Sequence, residues 1–136
     1  MASFFPSRSN SHVSSYKKNN SLEKLKEESK RILAKYPDRI PVIVEKYSGV
    51  ADSLSELDKC KYLTPNDLTV GQFMFVIRKR LKKKIRAEEA LYLFVNNTIP
   101  LPSMMMSQLY KEHKDETGFL FLVYSSESTF GVNVNE

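Results

Sequence analysis

Few side chains in this 136-residue chain could carry chemistry of their own. Its two histidines, His12 and His113, are far apart, and neither sits beside a plausible nucleophile or a metal-ligand set. Catalytic residues, metal sites and cofactors are therefore not expected. The single cysteine, Cys60, excludes an internal disulfide and a multi-cysteine zinc site, and it reads as a surface thiol. What remains is backbone chemistry near the end of the chain. Thr129-Phe130-Gly131 follows the last strong apolar run, Phe119 to Tyr124, and only Val132-Asn133-Val134-Asn135-Glu136 lies beyond. Glycine has no Cβ, so it crowds neither a protease cleft nor a nucleophile attacking its carbonyl. On a short polar tail, Gly131 is a point at which another enzyme can cut the chain and take up the acyl group. The alternative is a glycine that merely ends a strand.

Composition bounds the rest. Hydrophobic residues make up 41%, enough for one domain with a real core. No signal peptide or long apolar segment is visible, so a soluble, cytoplasmic protein is expected, and any membrane attachment must be added to it. The net charge is +5, unevenly spread. Arg78, Lys79, Arg80, Lys82, Lys83, Lys84 and Arg86 crowd one stretch, a surface suited to acidic peptides, tubulin-like tails or anionic lipid. No aromatic residue interleaves 82–86 to stack on bases, so nucleic acid is not the expected partner.

The elements that must position these features follow from pattern. Residues 1–20 are rich in Ser and Asn and read as a flexible N-terminal extension in which His12 is solvated. Ser21 can cap a helix from Leu22 to Tyr36 with Leu22, Leu25, Ile32, Leu33 and Tyr36 on one stripe, ended by Pro37. Ile40, Val42 and Val44 alternate with Pro41, Ile43 and Glu45, a strand whose pairing should be irregular at Pro41. Lys61 to Thr64 reads as a short strand closed by Pro65, with the features of a sheet edge. Thr69 and Gln72 fit a capping box, and Val70, Phe73, Ile77 and Leu81 give the helix that follows its apolar stripe. Ala90 to Val95 and Phe119 to Tyr124 are apolar on both faces and read as covered strands. Between them Ser103 can cap a short helix through Leu109 and Tyr110.

Strand, strand, helix, strand, strand is the order of the ubiquitin-like β-grasp, here an α+β fold with an added N-terminal helical segment. The first and last strands should pair in parallel at the centre, leaving the second at an edge. That edge can accept a partner's extended peptide as one more strand. One pocket for its side chains is expected between the added helix and the sheet, from Glu28, Ile32, Pro41, Ile43, Lys61, Leu63 and Phe119. A second is expected between the edge strand and the grasp helix, from Tyr62, Thr64, Pro65, Leu68, Phe73 and Val76. Basic residues at the rim favour acidic peptides.

Eight stretches resemble the autophagy ubiquitin-like modifiers of the microtubule-associated-protein light chain 3 and GABA-receptor-associated-protein type. They are Tyr36-Pro-Asp-Arg-Ile-Pro-Val-Ile-Val-Glu-Lys46, Lys61-Tyr-Leu63, Leu68-Thr-Val-Gly-Gln-Phe73, Val76-Ile-Arg-Lys-Arg80, Phe94-Val-Asn96, Tyr110-Lys-Glu-His-Lys-Asp115, Gly118-Phe119-Leu120 and Thr129-Phe-Gly131. The resemblance implies a ubiquitin-like domain over 21–131 and a tail, 132–136, removed by a cysteine protease. Gly131 would then be activated by an E1-like enzyme, passed to an E2-like enzyme and joined to phosphatidylethanolamine, bringing the cytoplasmic protein to the autophagosome membrane. It also implies that the first pocket takes the aromatic, and the second the aliphatic, residue of an autophagy receptor's short motif. Arg39 and Arg80 would contact acidic residues of partners, and Tyr92 and Phe94 the processing machinery. The chain departs from the pattern at Thr64, usually aliphatic, at Cys60, usually basic, and in two longer segments, Tyr47 to Leu57 and Lys82 to Glu89 with its Lys82-Lys83-Lys84 run. The rival reading is an unconjugated β-grasp scaffold for microtubules or acidic partner peptides.

Overall fold

The computed structural model describes residues 12–48 and 54–126. Its elements are α1 (Ser15–Lys18), α2 (Leu22–Lys35), β1 (Arg39–Lys46), β2 (Lys61–Pro65), α3 (Val70–Arg80), β3 (Tyr92–Phe94), α4 (Met106–His113) and β4 (Leu120–Ser125). The sheet order is β2-β1-β4-β3. β1 runs parallel to β4 and antiparallel to β2, and β3 is antiparallel to β4. The central parallel pair and the edge position of β2 are those expected of a β-grasp.

The two long helices start where the sequence places them. Ser21 Oγ accepts the Lys24 N–H at 3.1 Å at the head of α2. At α3 the Thr69 hydroxyl accepts the Gln72 N–H at 3.1 Å, and Gln72 Oε1 accepts the Thr69 N–H at 2.9 Å. Each such cap satisfies orphan donors of the first turn and is worth about 1 kcal/mol. Along α3, Val70, Phe73 and Ile77 are buried against the sheet, and Leu81 closes the stripe.

The pairing is regular at Pro41, contrary to expectation. The Val44 N–H donates to Cys60 O at 2.8 Å, and the register runs unbroken from there to Arg39↔Pro65. Antiparallel pairs alternate between bonded and non-bonded. Pro41↔Leu63 falls on a non-bonded pair, and the β4 ladder begins only at Val42. The missing N–H of Pro41 therefore costs neither ladder.

Two elements differ from their expected bounds by more than one residue at an end. β3 covers only Tyr92–Phe94, because Val95 leaves the sheet for a two-residue turn. Val95 and Thr98 exchange two backbone hydrogen bonds of 2.9 Å around Asn96 and Asn97, whose φ values are 48° and 66°. Positive φ at both positions is the hairpin turn Asn tolerates best after Gly. α4 begins at Met106 with Met105 as a cap lacking any side-chain bond, so Ser103 does not cap it. Residues 102–106 are instead laid beside the head of α3, with Val70 N–H on Met104 O at 2.8 Å, Gly71 N–H on Pro102 O at 2.9 Å and Met106 N–H on Leu68 O at 2.7 Å. Backbone so engaged cannot start a helix earlier.

The N-terminal segment also differs, from residue 12 onward. His12 is not solvated: its Nε2 lies 3.2 Å from Glu45 Oε1, and its Nδ1 accepts the Ser48 N–H at 3.1 Å. Glu45 also receives the Tyr16 N–H at 3.0 Å and the Ser15 hydroxyl at 3.2 Å. Burial pushes the Glu45 carboxyl up, but hydrogen bonds from His12 and the Tyr16 N–H outweigh it, so it sits below the ordinary range. Residues 1–11 of the expected extension lie outside the described residues.

Candidate functional site

β2 leaves one side of the sheet unpaired. The same alternation that spares Pro41 turns the backbone N–H and C=O of Lys61 and Leu63 outward, away from β1. Pro65, at the equivalent place, presents no donor. Arg39, exposed beside this edge, donates from Nη1 to Leu63 O at 3.2 Å, so the guanidinium already marks the open carbonyl. An extended peptide could bond to both outward groups of Lys61 and to the Leu63 N–H, and would share or displace Arg39 at the Leu63 carbonyl.

The first set of residues meets on one face of this edge. Pro41 and Ile43 of β1 stand in register with Leu63 and Lys61 of β2, and α2 crosses above them with Glu28 and Ile32. Ile43 and Phe119 are fully buried with Leu25 and form the floor, on which Ile32 and Phe121 pack. Lys61 Nζ and Glu28 Oε2 form an ion pair from β2 to α2, and this hydrogen bond holds the Lys61 ammonium above its ordinary range. The pair ties β2 to α2 beside these residues.

The sequence did not reveal the aromatic ring already in this cleft. Tyr16 of α1 packs on the Leu25, Ile43 and Phe119 cluster, its ring centroid 6.5 Å from that of Phe119 in an edge arrangement. Burial, then the Glu28 carboxylate, raises its phenol above the usual value. Lys17 beside it pairs with Asp115 and lies 4.6 Å over the Phe121 ring. The only sequence signal for this contact was an aromatic residue inside a Ser- and Asn-rich segment.

The second set lies on the opposite face of β2. Tyr62 and Phe73 meet edge to face at 5.8 Å between centroids, and both are buried in the main core. Pro65 is exposed, and Leu68 and Val76 are half-buried, so these three form the accessible part. Burial, then the Asp58 carboxylate, pushes the Tyr62 phenol up to about 12. Its hydroxyl donates to Lys59 O at 2.9 Å. Thr64 is 4% exposed and its Oγ1 finds no hydrogen-bond partner among the described residues. The chain here buries a bare hydroxyl, an arrangement that costs about 1 to 3 kcal/mol.

The remaining positions are dispersed. Arg80 is exposed at the end of α3 and pairs with Asp58 at 3.4 Å. Tyr92 is half-buried, whereas Phe94 is 1% exposed and packs with Tyr47, so at that place only Tyr92 offers its side chain to solvent. Cys60 is half-buried, and burial, then the Glu45 charge, raises its thiol above the ordinary value, the opposite of an activated nucleophile. It lines a cavity of about 790 Å³ with His12, Tyr16, Glu45, Ser48 and Lys59. Among the described residues no group of three or more His, Cys, Asp or Glu could hold a metal ion, and no helix is long and apolar enough to cross a membrane. Gly131 lies outside the described residues, beyond the end of β4 at Ser125.

Comparison with known proteins gives one consistent result. The family described as "Autophagy protein Atg8 ubiquitin like" matches residues 24–131. Autophagy-related protein 8a of Arabidopsis thaliana is 57% identical over 118 residues, covering 87% of this chain and 93% of that protein. Autophagy-related protein 8 of Dictyostelium discoideum is 52% identical over 120 residues, covering 88% and 96%. Among solved structures, Trypanosoma brucei ATG8 superimposes with a TM-score of 0.78 at 42% identity, covering 88% of this chain and 99% of that one. Plasmodium falciparum Atg8, in complex with a Plasmodium falciparum Atg3 peptide, gives 0.75 at 36% identity, covering 85% and 98%.

Proposed function

Because the chain belongs to the Atg8 family of ubiquitin-like autophagy proteins, we propose that it is a modifier joined through Gly131 to phosphatidylethanolamine. It acts in autophagosome formation and recruits cargo receptors that carry a short aromatic-x-x-aliphatic motif. The observation that carries this reading is where the family match stops: residue 131, the glycine at which the tail begins. A cysteine protease hydrolyses the bond after Gly131. The freed carboxylate is activated with ATP by an E1-like enzyme and passed as a thioester to an E2-like enzyme, and the lipid amine displaces that thiol to form the amide. The Atg3 peptide bound to the Plasmodium relative supports an E2-like partner here. The conjugate carries two acyl chains, the number stable anchoring usually takes.

Receptor binding is supported by the open edge of β2 with a pocket set on each face. The receptor strand bonds to Lys61 and Leu63, its aromatic residue takes the place of the Tyr16 ring on Ile43 and Phe119, and its aliphatic residue meets Pro65, Leu68 and Val76. Arg39 and Arg80 meet acidic residues flanking the motif, and Tyr92 contacts the processing machinery. Mass spectrometry of the C-terminal peptide from membrane fractions tests the reading: a chain ending at Gly131 and carrying the lipid is the expected result. Gly131→Ala abolishes the conjugate and the membrane puncta while the fold persists. Cellular protein that still ended at Glu136 would instead establish the unconjugated scaffold.

A further inference from the structure

The Lys82-Lys83-Lys84 run lies outside both proposed pocket sets. After α3 the chain folds back so that Leu81 bridges to Leu57. The Lys82 N–H then donates to Glu56 O at 2.9 Å, and the Lys83 N–H to Ser55 Oγ at 2.9 Å. Ser55 O in turn accepts the Tyr124 hydroxyl at 2.7 Å. Tyr124 stands one residue before the end of β4. The basic run is therefore fixed, through its backbone and Ser55, to the end of the sheet from which the chain leaves toward Gly131. Four residues, 127–130, separate Ser126 from Gly131, a reach of at most about 18 Å.

The side chains at this end are available. Lys82, Lys83 and Lys84 are exposed. Lys84 Nζ turns back to the carbonyls of Lys79 and Leu81, where its charge closes the end of α3. Lys82 and Lys83 form no ion pair among the described residues. Further back on α3, Lys79 Nζ lies 4.5 Å from the ring centroid of Phe75, which is 58% exposed. Cations beside an uncovered aromatic ring make an interfacial surface, apolar enough to enter headgroups and charged enough to prefer anionic ones. None of these residues lines the 790 Å³ cavity, so a flat partner suits them better than an inserted peptide.

We propose that Lys82 and Lys83, with Lys79 on Phe75, dock on anionic phospholipid headgroups and set the protein with the end of β4 toward the bilayer. The orientation rests on the proposed attachment at Gly131; the lipid preference does not. Flotation of the full, unconjugated chain with phosphatidylcholine vesicles, with or without phosphatidylserine, isolates the contact. Lys82→Glu/Lys83→Glu is compared with Lys24→Glu/Lys26→Glu, an equal charge change on exposed positions of α2. One lysine at an anionic surface multiplies partitioning by about fivefold, so reversing both is expected to cost at least about twentyfold on phosphatidylserine vesicles and nothing on neutral ones. The α2 pair should stay within about twofold of wild type. Equal loss in both pairs, or no phosphatidylserine-dependent binding, overturns the proposal. So does tighter capture of the run by a free poly-glutamate peptide than by the vesicles, which would assign it to an acidic protein. A parallel conjugation assay on neutral phosphatidylethanolamine vesicles separates the two claims: failure there removes the attachment at Gly131 and leaves the flotation result standing.

Discussion

The two faces of one sheet are built differently. On the α3 face, Ile40, Val42 and Val44 of β1 enter a cluster of seventeen buried residues among those described, closed by α3 and α4. On the opposite face the buried residues among those described fall into two small clusters, Leu25 with Ile43 and Phe119 under α2, and Tyr47 with Phe94. That thin face is secured at its margins by polar contacts: Ser29 with Thr117, Glu28 with Lys61, Lys17 with Asp115, His12 with Glu45. The α3 face carries most of the buried apolar contact, whereas the α2 face is tied at its margins by polar pairs. The pocket proposed for a partner's aromatic ring lies on the second kind of face.

The comparison breaks most directly at the core. Leu120→Ala should cost about 4 kcal/mol and Leu25→Ala about 2 kcal/mol in urea unfolding, because the thin face can collapse onto the smaller side chain. Equal losses would mean that the faces share the load. Gly118→Ala comes next, at about 2 to 3 kcal/mol. Its φ is +87° and an added Cβ would run into Ser29 Oγ, with Ser29 Cβ 2.9 Å away, so strain and clash add. The cost should fall when Ser29 is also replaced by Gly.

Smaller effects sharpen the picture of the margins. Glu45→Gln should loosen residues 12–20 by about 1 to 2 kcal/mol, read as faster amide exchange at Tyr16 with little change in global unfolding. The same amide reports pH. The folded carboxyl lies below its unfolded value, so its stabilisation is whole above the ordinary glutamate value of about 4.3 and disappears as pH falls through the lower folded one. Exchange protection at Tyr16 should therefore drop at acid pH before the α3 face unfolds. Lys61→Met is expected to cost less than about 1 kcal/mol, since Lys61 is 42% exposed in its pair with Glu28. Its larger consequence is weaker binding of acidic peptides at β2, measured by titration.

Local chemistry made the frame legible in the sequence. The Thr69 and Gln72 box, the Ser21 cap and the alternation from Ile40 to Val44 act within a few residues, and the structure follows them. The misses are long-range. Nothing near Ser103 reveals that Pro102 and Met104 are held by Gly71 and Val70. Nothing near His12 points to Glu45, 33 residues on, and so Tyr16 was not expected in the first cleft. That Pro41 and Ile43 stand beside Leu63 and Lys61 was legible, because register on adjacent strands brings alternate residues together. How deeply Ile43, Phe119 and Phe73 are buried was not, since that depends on helices arriving from elsewhere in the chain.

The strand order also has a mechanical meaning. β1 lies between β2, the edge proposed for cargo, and β4, the strand that leads to the proposed membrane anchor. Tension between a docked receptor and a lipidated Gly131 would cross both hydrogen-bonded ladders of β1. A pull along β4 loads its parallel ladder with β1 in shear, so that its bonds resist together instead of parting one after another. If both proposed attachments hold, the strand that builds the core is also the splice in a rope between cargo and membrane.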